Sequence, residues 1–370
     1  MADLKIPAEL LPSDGRFGCG PSRLRPEQLT AFETEGIKLL GTSHRQSPIK
    51  NLVGEVRTGL LELFHNPSSY EIVLGNGGST AFWDVAAFSL AEGKTQALVH
   101  GEFGAKFANA LAAPFLGKPE IISAEVGSRG SLVSDPEILN YVYPQNETST
   151  GVVAPVVRVE ANPAALFYTD ATSAAGGIDF DPLNTDVYYF APQKNFASDG
   201  GLWIAMLSPK AIERAEKIAS SDRYIPEFLS LKTALDNSRL NQTLNTPAIS
   251  TLYLLNEQIK WINQNGGLAW ADQRTRKCSD FLYDWAEKIS YLNCFVTNPE
   301  HRSQVVVTID FDQSIDAGEV AKILRANGIV DTDPYRKLGR NQLRIATFVA
   351  TNFEDVEKLT QSIEYVVERM

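Results

Sequence analysis

The sequence predicts an α/β protein: a large domain with a mainly parallel sheet flanked by helices, joined to a smaller C-terminal α+β domain. Two patterns carry that prediction. From Pro26 onward, segments with a helical apolar period alternate with short runs rich in β-branched and aromatic residues, the order expected of a parallel sheet covered on both faces. After about Asn245 the alternation gives way to two long helical segments and then a compact unit of strands and helices. The chain divides on this reading into an arm over residues 1–25, a large domain over 26–254 and a small domain over 255–370. Its 370 residues, 44% hydrophobic and 21% charged, suit two domains of ordinary globular composition.

The arm is rich in Pro, Gly and Ser and is expected to lie extended. "PEQLTAFETEGIKLL" reads as a helix with Pro26 in its first turn. "NLVGEVRTGLLELFHN" repeats apolar residues at Leu52, Val53, Val56, Leu60, Leu61 and Phe64, again a helical period. "YEIVLG" is a short strand, followed by the helix "AFWDVAAFSLA". "TQALVHG", "PEIISAE", "LNYVYPQN", "ALFYTDAT", "DVYYFAP" and the run Leu202–Leu207 are further strands. "TPAISTLYLLNEQIKWINQNGG" and "LAWADQRTRKCSDFLYDWAEKI" are the two long helices. The strand "SQVVVTIDF", the helix "AGEVAKILRANG", the strands "IVDTDP" and "QLRIATF", and the helix "FEDVEKLTQSIEYVVERM" complete the chain.

Composition excludes several classes. A net charge of −11, with no long Lys/Arg cluster, argues against a nucleic-acid partner. No apolar run approaches the ~20 residues that span a bilayer, and "MADLKIPAELLPSDGRF" lacks the apolar core of a signal peptide, so no membrane is expected. Cys19, Cys278 and Cys294 form no CxxC pair and cannot all be disulfide-bonded. That usage suits a reduced, cytoplasmic setting and disfavours a structural zinc site; no metal is expected.

Three stretches carry chemistry. In "YYFAPQKNFASDGG", Lys194 lies on a turn between two core strands, where an ammonium group needs a function, a partner or a path to solvent. In "GNGGSTAFWD", glycines join a strand to a helix whose first N–H groups, with the Ser79 and Thr80 hydroxyls, suit a phosphate or serve as an ordinary capped turn. It is neither a Walker loop nor a dinucleotide fingerprint. In "LFYTDATSAAGG", Asp170 ends an apolar strand, either as a helix N-cap or where α/β crevices open. A carboxylate and an amine facing one crevice, with a phosphate cup upstream, meet the needs of pyridoxal phosphate. The aldehyde needs an amine that burial can hold neutral, the pyridine nitrogen an ionised partner, and the ring an aromatic cover. Phe103 in "VHGEFGAKF" is a candidate cover, or simply core.

These pieces resemble the phosphoserine aminotransferase family of the fold-type I pyridoxal-phosphate enzymes. "GPSRLRPEQL", "GTSHRQSP", "GNGGSTAFWD", "NETSTG", "TDATSAAGG", "APQKNFASDGG", "NTPAIS" and "DPYRKLGRNQLRIATF" run in family order along nearly the whole chain. The resemblance implies that Lys194 forms the Schiff base and Asp170 partners the pyridine nitrogen. It puts Phe103 on the cofactor ring, where many members have Trp, and Thr148 at the phenolic oxygen. Ser79, Thr80 and Gln193 fall at the cofactor phosphate, joined by Asn245 and Thr246 from the other subunit of a homodimer. His44, Arg45 and Arg336 match substrate-phosphate contacts, and Arg344 matches the arginine that holds the α-carboxylate. The implied reaction moves the amino group of L-glutamate to a phosphorylated 2-oxo acid, 3-phosphohydroxypyruvate or the four-carbon relative used in vitamin B6 synthesis.

Two departures from the family pattern stand out. Ser79 replaces an arginine that many members carry in the Gly-rich loop, leaving Lys337 or Arg340 to supply that charge, unless both are plain surface residues. Tyr335-Arg336 stands where many members have His-Arg, with a longer spacing to Arg344. An arginine such as Arg344, inside the apolar strand "QLRIATF", would be costly without a partner. The competing readings are another enzyme of the same fold, such as an alanine–glyoxylate-type transaminase, and a binding protein in which Lys194 and Asp170 merely close an ion pair.

Overall fold

In the computed structural model, which describes residues 4–370, the most apolar runs of the sequence become the inner strands of a seven-stranded sheet. The arm leads to α1 (Pro26–Thr34), with Pro26 in its first turn. α1 stops short of the expected end because Gly36, costly inside a helix, opens a 3-10 turn at Gly36–Leu39. α2 (Ser47–Leu63) buries Ile49, Leu52, Val53, Val56, Leu60 and Leu63 along one face. There follow β1 (Glu71–Asn76), α3 (Ser79–Ser89), β2 (Lys94–Val99), α4 (Glu102–Ala110), β3 (Glu120–Ser123) and β4 (Ile138–Pro144). β5 (Asn146–Glu147) and β6 (Val152–Val153) form a small ladder of their own. β7 (Leu166–Asp170), β8 (Val187–Phe190), β9 (Leu202–Leu207), α5 (Pro209–Ala219) and α6 (Leu231–Arg239) complete this part.

The sheet order is β1-β9-β8-β7-β4-β2-β3, and β9 alone runs against its neighbours. The reversal follows from chain length, since residues 191–201 suffice for a turn but not for a crossover. Alternate residues of β9 serve opposite layers. Leu202, Ile204 and Met206 pack with α2, while Trp203, Ala205 and Leu207 pack with α3, α5 and α6. Helices therefore cover both faces, as the alternating pattern predicts.

α7 (Ile249–Gln264) and α8 (Gly267–Lys288) lead to a second sheet, β10 (Leu292–Cys294), β11 (Val306–Phe311) and β12 (Gln342–Ala346), all antiparallel. α9 (Ala317–Ala326) and α10 (Phe353–Val367) cover it. The stretch "IVDTDP" is not the strand expected. Asp331 takes a left-handed φ of 64°, which breaks extension, and Val330 alone bridges to Arg16 of the arm. The arm fills that edge, with the Ala346 N–H donating to the Phe17 carbonyl. The boundary expected at 254/255 falls within α7. Early α8 residues Leu268 and Ala271 pack in the large core, whereas Cys278 and Leu282 pack in the small one. We propose that the division lies inside α8, between these pairs.

His100, just past β2, is buried and neither ring nitrogen has a partner. Burial, with Arg129 and His301 nearby, pushes it down to about 4. The unfolded chain, with histidine near 6.5, then binds more protons than the fold between about pH 4 and 6.5. Stability should be full above that window and fall as pH drops through it, by up to about 3 kcal/mol. His100→Gln should remove this part of the slope in denaturant unfolding measured across the window; identical slopes would contradict it.

Candidate active site

The loops at the carboxyl ends of β1, β2, β7 and β8 converge, as ligand crevices do in open α/β sheets. Between them lies a cavity of about 170 Å³ lined by Ser79, Thr80, Phe103, Thr148, Asp170, Gln193 and Lys194. Larger grooves exist, such as one of about 720 Å³ between the arm and α7, but Lys194 and Asp170 do not line it.

Lys194 sits on the β8–β9 turn and is half-buried, opening onto the cavity. Its ammonium donates to the Cys19 carbonyl, and the Ser22 hydroxyl donates to the Lys194 carbonyl at 2.6 Å. Burial, reinforced by the Arg344 guanidinium, pushes its amine down to about 8. Asp170 ends β7 and is 5% exposed. Its Oδ2 accepts from the Tyr189 hydroxyl at 2.7 Å, and its Oδ1 from the Thr172 hydroxyl at 2.5 Å and N–H at 2.9 Å. Burial raises the carboxyl above the ordinary range while these donors pull it back. The two charged groups therefore share a cavity but form no ion pair.

Gly77 turns the chain out of β1 at φ 106°, and Gly78 leads into α3 with no side chain capping the helix. The Ser79 hydroxyl, beside those helix N–H groups, lies 2.7 Å from the Thr172 hydroxyl and donates to it, since the one Thr172 proton goes to Asp170. Thr148 donates to Ser173 Oγ at 2.8 Å. Arg344 reaches across from β12: its Nη1 donates to the Thr148 carbonyl at 2.9 Å and its guanidinium lies 5.3 Å from the Tyr335 ring centre. Asn146 Oδ1, Gln193 Oε1 and Arg344 Nε are buried without a partner. Orphaned polar atoms are costly, so their grouping here marks a place built for a polar ligand.

Six expected residues do not line this cavity, Arg344 among them although it reaches the Thr148 carbonyl on its wall. His44 Nδ1 lies 3.2 Å from the Thr246 hydroxyl, and the Thr246 carbonyl accepts from Asn76 at 3.1 Å. Asn245, Arg45 and Arg336 are exposed. Of the two candidates for the loop arginine's charge, Lys337 pairs with Glu102, and Arg340 with Asp310 through Nε at 3.1 Å. Sequence reasoning missed Trp83, Asn146 and Thr172 on the cavity wall. Trp83 was within reach, one helical turn beyond Ser79.

An amine near 8, a buried carboxylate, an uncapped helix start and an aromatic side wall suit an aromatic aldehyde with a ring nitrogen and an anionic group. Residues 26–332 match the family model described as aminotransferase class-V, which fixes the class. A solved phosphoserine aminotransferase from Cytophaga hutchinsonii superposes with a TM-score of 0.85 over 95% of this chain and 99% of its own, at 24% identity. A solved alanine–glyoxylate aminotransferase from Nostoc sp. gives 0.79 over 98% of each, at 19% identity, so the fold alone does not choose between these activities. Sequence does: the phosphoserine aminotransferase of Rhodococcus opacus is 57% identical over 366 residues, 99% of this chain and 98% of its own. The chain belongs to the phosphoserine aminotransferase family.

Glu147, also missed, supports the wall. It lies in β5, fully buried against the start of α4. Oε1 accepts from the N–H groups of Phe103 at 3.3 Å and Ser149 at 3.1 Å and from the Ser149 hydroxyl at 2.6 Å; Oε2 accepts from the Gly104 N–H at 3.0 Å. Glu147→Gln would turn an amide NH₂ toward one of these donors. We expect a loss of about 1–3 kcal/mol in denaturant unfolding; unchanged stability would count against this capping role.

Proposed function

We propose that this chain is a pyridoxal-phosphate-dependent transaminase that moves the amino group of L-glutamate to 3-phosphohydroxypyruvate, giving O-phospho-L-serine and 2-oxoglutarate. The observation that carries the reading is that Lys194 and Asp170 open on one cavity yet each is satisfied elsewhere. A structural ion pair would have joined them. The donor set fits the cofactor: the start of α3 with Ser79, Thr80 and Gln193 suits its phosphate, Asp170 its ring nitrogen, Phe103 its face and Thr148 its phenolic oxygen.

When bound, the cofactor supplies an aldehyde for the amino group and a protonated pyridine that accepts the electron pair left when Cα loses its proton. Asp170 holds the proton on that nitrogen. Lys194 Nζ takes the Cα proton and returns it. Lowering its amine from 10.5 to about 8 raises the neutral fraction at neutral pH by roughly two and a half orders of magnitude. Arg344, fixed by the Thr148 carbonyl, offers its free Nε to the α-carboxylate that both substrates carry. His44, Arg45 and Arg336 supply charge for the substrate phosphate. Three free thiols suit a cytoplasmic home. No helix among the described residues is long and apolar enough to cross a membrane.

The test is direct. The holoenzyme should be yellow, lose that colour with glutamate and regain it with 3-phosphohydroxypyruvate. Borohydride should fix the pyridoxyl group on Lys194, and Lys194→Ala should abolish turnover with the fold intact. The rate at which the apo-protein takes up the cofactor should rise with pH and level off above about 8, where the amine is neutral. A label on another lysine would sink the assignment.

We propose further that two chains share each active site. His44, Arg45, Asn245 and Thr246 stand away from their own cavity, and nearby Leu29, Ile37 and Leu40 are 46%, 54% and 46% exposed, apolar surface that a second chain would cover. Lys194→Ala removes the amine, and Thr246→Asp sets a carboxylate against the phosphate. Refolded together, about half the dimers should be mixed, each with one intact site, so roughly a quarter of all sites should regain activity. Mixed dimers without recovered activity would refute sharing.

A further inference from the structure

We propose that Tyr189, braced by Trp83, is the positioning residue that keeps Asp170 ionised and aimed into the cavity. The proposal rests on the cofactor reading above and adds to it a two-step relay behind the carboxylate. Asp170 and Tyr189 are direct partners in the parallel β7–β8 ladder, and the Ala171 N–H donates to the Tyr189 carbonyl at 2.9 Å. That register sets the phenol beside the carboxylate, where it donates to Oδ2 at 2.7 Å. The Tyr189 hydroxyl in turn accepts from Trp83 Nε1 at 2.9 Å, so its proton has one place to go. The ring cannot swing away. Phe82 stacks on it at 4.5 Å, Phe107 meets it edge-on at 5.4 Å, and it is fully buried.

The chemistry requires such a brace. A carboxylate taken out of water is driven toward its neutral form, and neutral Asp170 could not hold a proton on a ring nitrogen. The groups facing it are Tyr189 from β8, Trp83 and Ser79 from α3, Thr172 beyond β7, and Lys194 across the cavity. Lys194 is the one cation among these, and the Cys19 carbonyl holds it. The hydroxyls of Tyr189 and Thr172, the Thr172 N–H and, by less, the Trp83 indole N–H are therefore what oppose burial. Thr172 serves Oδ1 and Tyr189 serves Oδ2. Removing the Tyr189 hydroxyl leaves Oδ2 without its donor and shifts the carboxyl further toward its neutral form.

Tyr189→Phe keeps the packed ring and deletes that donor, along with the acceptor of the Trp83 N–H. The readout is equilibrium dialysis of the apo-protein against pyridoxamine 5′-phosphate, which carries the same ring nitrogen but cannot bond to Lys194. Hydrogen bonds to charged groups are strong enough that affinity near neutral pH should fall about ten-fold or more. The deficit should shrink as pH rises, because alkali restores the charge on Asp170. Trp83→Phe should shift the pH midpoint the same way by less, and it carries the test should Tyr189→Phe fail to fold. A variant that binds with the wild-type pH profile, or one weakened equally at every pH, would overturn the proposal, the second because it describes packing alone. Wild-type apo-protein that does not bind the probe would overturn the cofactor reading as well.

Discussion

Asp170 ends β7 and Lys194 lies on the turn after the neighbouring β8, and opposite charges attract strongly where water is scarce, by about 4 kcal/mol at 4 Å for an effective dielectric of 20. Left alone they would close on each other and the cavity would be lost. The structure prevents this by giving each group other company: a backbone carbonyl for the amine, and two hydroxyls with one N–H for the carboxylate. Both can then meet a third party. Much of the surrounding architecture serves that separation.

The reversed strand β9 is one such element. A parallel β9 would need a long crossover after β8, and Lys194 would then lie on a mobile connection. The short turn instead pins the lysine between two fully buried strands. Glu147 is another, a buried carboxyl that gathers the first N–H groups of α4 and thereby sets where Phe103 stands. Arg344 is a third. Its anchoring to the Thr148 carbonyl joins the small sheet to the cavity wall.

Lys194 and Asp170 could be read from the sequence because each follows an apolar run whose strand character is plain, and strand ends are where α/β crevices form. The Gly-rich loop was readable for a similar reason, since Gly77 needs a positive φ and the helix after it is uninterrupted. What stayed hidden was whatever depends on register. That Tyr189 stands beside Asp170 is a fact of strand pairing, and nothing along the chain connects residues 83, 170 and 189. The false strand at "IVDTDP" had the opposite cause. Its composition favours extension, but Asp331 turns the chain aside, so that Thr332 accepts one N–H of β12, from Arg344, and the arm, distant in sequence, accepts the next, from Ala346. The first helix ends sooner than its apolar period suggests, because Gly36 is costly inside a helix.

The arm also has a mechanical meaning. Residues 15–17 are stitched into the edge of the small sheet, whereas Ser22, a few residues on, is bonded to the backbone of Gln193 and Lys194 in the large domain. Between these two moorings runs a short span of chain with little slack, and the Cys19 carbonyl that holds the lysine amine lies on it. It acts as a tether. The cord links the edge of the small sheet to the loop that carries Lys194, so the carbonyl that receives the amine is held from both sides.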